Sequence, residues 1–347
     1  MSNEKRLVRG PNVTQLMPAK YPWAWEWYLD SNKNHWVPGE INMSKSIYQF
    51  EHVLTPSEKH IFTTVFAYLT TSDILAMRNV SLAVMEKITA PEVQTALMRH
   101  GFDETIHSLT YQHCLECLKL DPDDIYTRYQ RWPEMNAKFV LSNKYLKRML
   151  ELHSLETKED VEEFLYGYIF FALIFEGVWF YNGFTPIFNM NRRQLMSDAG
   201  EQLQYILRDE VNHVKLGIRI IRGILDEENI TLDSNRIKQM FIEADECEKN
   251  YITMVLKDGM VGHTVDLHMQ QSRVVSNRRL RQLGLEPVFP DTEAPFKWLD
   301  EIAGGIRKEG NFFEVKVKEY QSGANLDFGK TETQTDKTKP TIDWDSF

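Results

Sequence analysis

Cysteine is scarce: three residues, Cys114, Cys117 and Cys247, in a chain of 347. So few thiols exclude a disulfide framework, and a chain of this length can stabilise itself by burial without one. Cys114 and Cys117 form a C-x-x-C, yet no second pair accompanies it and helical periodicity surrounds it. Core packing is the expectation there, not a zinc site. The opening MSNEKRLVRGPN lacks the apolar core of a signal peptide, so a reducing, cytoplasmic location is expected. Long runs of Lys and Arg are missing too, and the formal charge is −10. A surface built to neutralise phosphates is excluded, and no nucleic-acid partner is expected. Strand-like alternation is rare and no repeat of fixed period is evident, which argues against sandwiches, barrels and solenoids. Only one long hydrophobic run exists, GYIFFALIFEGVWFYNGF at 167–184. It approaches the length of a membrane span, but Glu176 in its middle would be costly in lipid. It reads as the innermost helix of a soluble bundle, its acid held by partners, with no membrane contact.

What is present is helical pattern. From about residue 55 to 255, apolar residues recur at three- and four-residue spacing, and Pro56, Pro91 and Pro122 fall at apparent breaks. This predicts an all-α bundle. Residues 1–40 read as irregular but carry Tyr21, Trp23, Trp25, Trp27, Tyr28 and Trp36, too apolar for a disordered tail, and are expected to pack on the bundle. Residues 1–320 thus form one helical domain with its arm. Residues 321–347 are mostly polar, end in DWDSF, and predict a flexible tail. That tail is either solubilising or a docking peptide anchored by Trp344 and Phe347.

Two of the ten histidines have an acid three residues upstream, Glu104/His107 and Glu210/His213. Random placement gives about one such pair, so the count alone is weak. Placement strengthens it, because each pair lies in a long apolar-periodic helix whose i,i+3 spacing sets both side chains on one face. Glu176 and Asp73 are further acids in apolar surroundings on other helices, although TTSD before ILAM also suits a helix N-cap at Asp73. Four buried carboxylates cannot remain ionised without cations. Asp73, Glu104, His107, Glu176, Glu210 and His213 match the donor set of a di-iron or di-manganese carboxylate bundle. Tyr111 lies four residues past His107, one turn along the same face. Phe180, Phe184 and Ile206 fall on the same faces as the ligands by helical counting, where a dry wall would protect a tyrosyl radical. Taken singly, each reads better as a core residue.

The linked motifs HWVPGEI, SD at 72–73, DETIHSLTY, FEGVWFYNGF, LRDEVNH and NFFEVKVKEYQ resemble the small (beta), radical-generating subunit of class I ribonucleotide reductase. The resemblance runs from about residue 17 to 320. It implies a ferritin-like helical bundle with a dinuclear metal site in a four-helix core, bound by the six residues above. It further implies that the metals react with oxygen species to generate a radical at Tyr111. The radical then passes through Trp36, Asp209 and Tyr320 to the large (alpha) subunit for reduction of ribonucleotides to deoxyribonucleotides. A homodimer is implied, with the tail binding the large subunit. Several terminal phrases look closest to a branch with a manganese/iron cluster and no radical tyrosine, from which Tyr111 and Asp73 depart. Fe/Fe is the leading expectation for the metals, with Mn/Fe and Mn/Mn left open by nearly identical ligands. The alternative is a ferritin-like di-metal oxidase or iron-binding protein acting alone.

Overall fold

The computed structural model describes residues 5–11 and 13–303. Among these, every regular element is helical. The chain runs through α1 (Pro22–Lys33), α2 (Ser44–His52), α3 (Pro56–Asn79), α4 (Pro91–Cys117), α5 (Pro122–Arg131) and α6 (Pro133–Glu151). It continues through α7 (Lys158–Ile169), α8 (Tyr181–Gly183), α9 (Thr185–Arg192), α10 (Ser197–Glu228), α11 (Ser234–Val255) and α12 (Val265–Gln282). Prolines open α1, α3, α4, α5 and α6, where the missing N–H is no loss and the fixed φ suits the first turn. Thr55 and Glu58 add a reciprocal capping box to α3. Pro56, Pro91 and Pro122, which fall at breaks in the pattern, all act as starts.

The apolar run at 167–184 is interior. Residues 158–192 are long and apolar enough to cross a membrane by composition, yet the most apolar window is completely buried in protein. From Phe170 to Phe180 this helix loosens into a π-helix, between α7 and α8, and a shorter π turn follows α3 at Val80–Val84. Such segments are rare and cluster at functional sites. Here the longer one carries Glu176. It packs against α10, while α3 packs against α4. Gly217 of α10 permits the close approach, because a Cβ there would lie 2.6 Å from the Ala172 Cβ.

The N-terminal arm is more ordered than its composition predicts. Instead of being irregular, it contains α1, in which Ala24, Trp27 and Ser31 bury one face at helical spacing. Large aromatics on the other faces hide that period from a hydrophobicity pattern. The Trp27 indole donates to the Asn212 carbonyl of α10 at 2.9 Å, which tertiary contact supplies. Leu7 and Val8 are fully buried, and the Leu7 carbonyl accepts from the Thr89 N–H at 2.8 Å.

On the far side of the π segment, Lys138 is buried in a box of Tyr68, Trp179 and Tyr251, its Nζ 2.6 Å from Glu248. Glu248 also accepts from or shares a proton with His268 at 2.7 Å. This pair satisfies its charges internally and ties α6, α11 and α12 to the helix that bears Glu176.

Replacing Gly217 by Val should force α10 away from the π segment. A loss of about 1–3 kcal/mol is expected from overpacking, read as a lower urea midpoint. An unchanged midpoint would contradict the close contact.

Candidate metal centre

Four helical segments converge on one buried cluster: α3 with Asp73, α4 with Glu104 and His107, the π segment with Glu176, and α10 with Glu210 and His213. All six side chains are 1% exposed or less, which decides that water does not solvate their charges. Asp73 lies deep inside α3, not at its start, so it caps nothing.

His107 and His213 turn the same atom inward. His107 Nδ1 lies 3.4 Å from Asp73, 3.5 Å from Glu104 and 3.4 Å from Glu210. His213 Nδ1 lies 3.0 Å from Glu104 and 3.5 Å from Glu210. Glu104 and Glu210 thus stand between two imidazoles, as bridging carboxylates would. Both oxygens of Asp73, Glu104 and Glu210, one of Glu176, and both inward Nδ1 atoms have no well-formed hydrogen bond. Buried polar atoms are rarely left so, and several facing one another call for cations between them.

The outward ring nitrogens are held crosswise. His107 Nε2 lies 3.4 Å from Asp209 of α10, and His213 Nε2 lies 3.5 Å from Asp103 of α4. Each D-E-x-x-H motif, DETIH and DEVNH, therefore supplies the acid that orients the other motif's histidine. Such partners fix the tautomer that leaves Nδ1 free for a metal. Asp209 Oδ2 also accepts from the Trp36 indole at 2.8 Å. Trp36 itself is buried, one residue before the exposed Val37.

Electrostatics match the donor set. Burial pushes Asp73 well above the usual carboxylate range and Glu176 up to about 7. Burial would raise Glu104 as well, but His100, His107 and His213 hold it well below that range. Burial works against charge on His107 and His213, yet the surrounding carboxylates push both well above the usual imidazole value. Without metal the cluster balances its acids with protons on imidazoles, and cations would displace those protons. Four carboxylates with imidazoles suit iron or manganese. The cysteines stand apart, since neither metal-competent cluster among the described residues contains one.

Tyr111 is fully buried in α4, its hydroxyl without a partner and its ring edge-on to Phe66, 5.8 Å between centroids. Burial, with Asp73, Glu210 and Glu104 nearby, pushes its phenol well above 10. Phe180, Phe184 and Ile206 are fully buried. Tyr320 and the tail at 321–347 lie outside the described residues.

Two further residues reach the cluster without standing out in the sequence pattern. His100 lies 2.9 Å from Glu176 and 3.2 Å from Glu104. Its signal is a stripe at i, i+4, i+7 and i+11, formed by His100, Glu104, His107 and Tyr111. Asp103 is the other, and the repeated Asp-Glu pair ahead of each histidine is the pattern that points to it.

The sequence profile "Ribonucleotide reductase, small chain" matches residues 13–295. The ribonucleoside-diphosphate reductase subunit beta of Chlamydia pneumoniae is 33% identical over 321 residues, covering 91% of this chain and 92% of that one. The ribonucleotide reductase R2 subunit from Clostridium botulinum superposes with a TM-score of 0.78 at 25% identity, over 86% of this chain and 94% of its own. An R2-like ligand-binding oxidase with a reconstituted Mn/Fe cofactor shares the fold, with a TM-score of 0.63 at 18% identity over 77% and 94% of the two chains. The chain belongs to the ribonucleotide reductase small-chain family, the beta subunits of ribonucleoside-diphosphate reductase, whose work requires a large subunit.

Proposed function

We propose that this chain generates and exports a tyrosyl radical. The observation that carries this reading is the buried six-residue donor cluster with Tyr111 one turn away on α4 and Trp36 hydrogen-bonded to it through Asp209. Asp73, Glu104, His107, Glu176, Glu210 and His213 would hold two metal ions, iron at both positions as the leading assignment, with Mn/Fe or Mn/Mn as alternatives. When bound, the metals supply one-electron oxidising power drawn from oxygen species.

The protein's own residues do the rest. Burial keeps Tyr111 a neutral phenol, so forming a neutral radical would send its electron to the metals and its proton towards the nearby carboxylates Asp73, Glu210 and Glu104. Its hydroxyl meets no protein donor and its ring meets Phe66, surroundings poor in groups that would quench a radical. The His107–Asp209–Trp36 chain is an outward path. Burial would raise Asp209, but His107, Arg208 and Trp36 hold it below the usual range, so it remains a carboxylate able to accept from both neighbours. Tyr320 would continue the path to the large subunit, which the tail at 321–347 would dock.

A homodimer fits the exposed apolar side chains Met98, Phe102 and Leu109, at helical spacing on α4, with Ile74 on α3 and Leu82 on the shorter π turn also exposed. A ferritin-like oxidase acting alone would account for the six donors and the fold. It would have no use for a buried Trp36–Asp209 contact leading to the surface.

Protein loaded with iron(II) and exposed to air should show a tyrosyl signal by electron paramagnetic resonance, absent in Tyr111→Phe. A signal that survives the substitution would defeat the assignment. Removing residues 321–347 should abolish turnover with the large subunit while two metals stay bound, and full turnover by the shortened chain would remove the docking role. Metal loading should tighten as pH rises. Glu176, held near 7 by burial, must lose its proton to take a cation, and the raised His107 and His213 act in the same direction. From pH 6 to 8 the Glu176 proton alone predicts about a tenfold gain in manganese(II) affinity, measured by titration calorimetry. Equal affinities would show that the metal does not compete with these protons.

A further inference from the structure

His100 is a buried imidazole that the six-donor assignment leaves without a task. It sits on α4 one turn before Glu104, is 2% exposed, and directs Nε2 at two carboxylates from different helices. Glu176 Oε1 is 2.9 Å away and Glu104 Oε1 is 3.2 Å away. One ring proton would have to be shared between the two, each bond weakened, whereas one cation binds both fully. His213 Nδ1 approaches the same Glu104 oxygen, at 3.0 Å. Donor atoms of His100, Glu104, Glu176 and His213 all lie within 4.8 Å of one another, the same closeness as in the Asp73, Glu104, His107 and Glu210 group. The ring is also fixed in place. It stacks on His213 with centroids 3.8 Å apart and on Phe171 at 6.2 Å.

We propose that His100 is a seventh protein donor of the centre, its Nε2 binding the cation shared by Glu104, Glu176 and His213. This rests on the dinuclear reading above and makes it unequal. The first position, with Asp73, Glu104, His107 and Glu210, has one imidazole and three carboxylates. The second, with His100, Glu104, Glu176 and His213 and with Glu210 3.5 Å from His213 Nδ1, has two imidazoles beside its carboxylates. Carboxylates suit manganese and imidazole suits the later metals, iron included. The second position therefore prefers iron(II) over manganese(II) more strongly than the first. His100 differs from the other two histidines in presenting Nε2 inward, where they present Nδ1, and in having no hydrogen-bond partner on its remaining nitrogen, Nδ1. Stacking, not an orienting acid, holds it, so it is the donor most easily released.

Crystals of the full chain grown with manganese(II) should show His100 Nε2 bonded to the second cation. Two bound cations with His100 touching only Glu176 would overturn the inference and leave the dinuclear reading intact. Absence of any bound cation would overturn both. In solution, metal-free protein titrated anaerobically with iron(II) and manganese(II) separates the roles through His100→Gln, whose amide can still donate to Glu176. Iron(II) affinity of one of the two equivalents, the one bound at His100, should fall by about tenfold or more, with the other unchanged. The preference for iron over manganese at that equivalent should narrow. An unchanged preference in a variant with native helical content would count against ligation, and the crystal result stands whether or not the variant folds.

Discussion

Charge inside an apolar bundle is the constraint on which this structure turns. Asp73, Glu104, Glu176 and Glu210 are buried in a core otherwise built from Phe, Ile, Leu and Trp, where an unpaired carboxylate is very unfavourable. Three imidazoles on α4 and α10 compensate them, and the inward-facing atoms left without hydrogen bonds mark the space for cations. Long helices follow from the same constraint. Only elements that satisfy their own backbone can bring six or seven polar side chains together without also burying unpaired amides.

The support around the cluster has an approximate two-fold pattern. Asp103 and Asp209 hold the histidines crosswise, and Arg99 and Arg208 pair with those acids while donating to the carbonyls of Ser31 and Asn34 in the arm. Trp27 lies beside His213 and Trp36 beside His107. The pattern breaks at one atom: the Trp36 indole donates to the carboxylate of Asp209, while that of Trp27 donates to a backbone carbonyl. Only the Trp36 side continues from an inward-facing histidine through a charged group to an aromatic ring, which gives the proposed outward path its direction. The arm, although peripheral in sequence, supplies both rings.

Much of the fold was legible in the chain, and the reasons are local. Proline at N1, the Thr55 capping box and three- to four-residue apolar spacing act within a few residues of themselves, and they mark α3 to α6 and α10. The arm helix was not legible, since α1 gains its stability from Trp27 reaching α10, a contact nearly two hundred residues away in sequence. The π segment was not legible either. Residue types at 170–180 do not distinguish i→i+4 from i→i+5 bonding, and the choice follows from fitting Glu176 and its large neighbours between α10 and α12.

By itself, the sequence determined an all-α chain with one buried acid-bearing helix, two Glu-x-x-His faces and a phenol one turn beyond the first, because helical period sets which side chains share a face. It could not decide whether those faces meet. Tertiary packing alone placed Asp73 in mid-helix, crossed each motif's aspartate onto the other's histidine, and brought His100 to Glu176. Those contacts join residues tens to more than a hundred positions apart, and no local periodicity encodes a distance between helices.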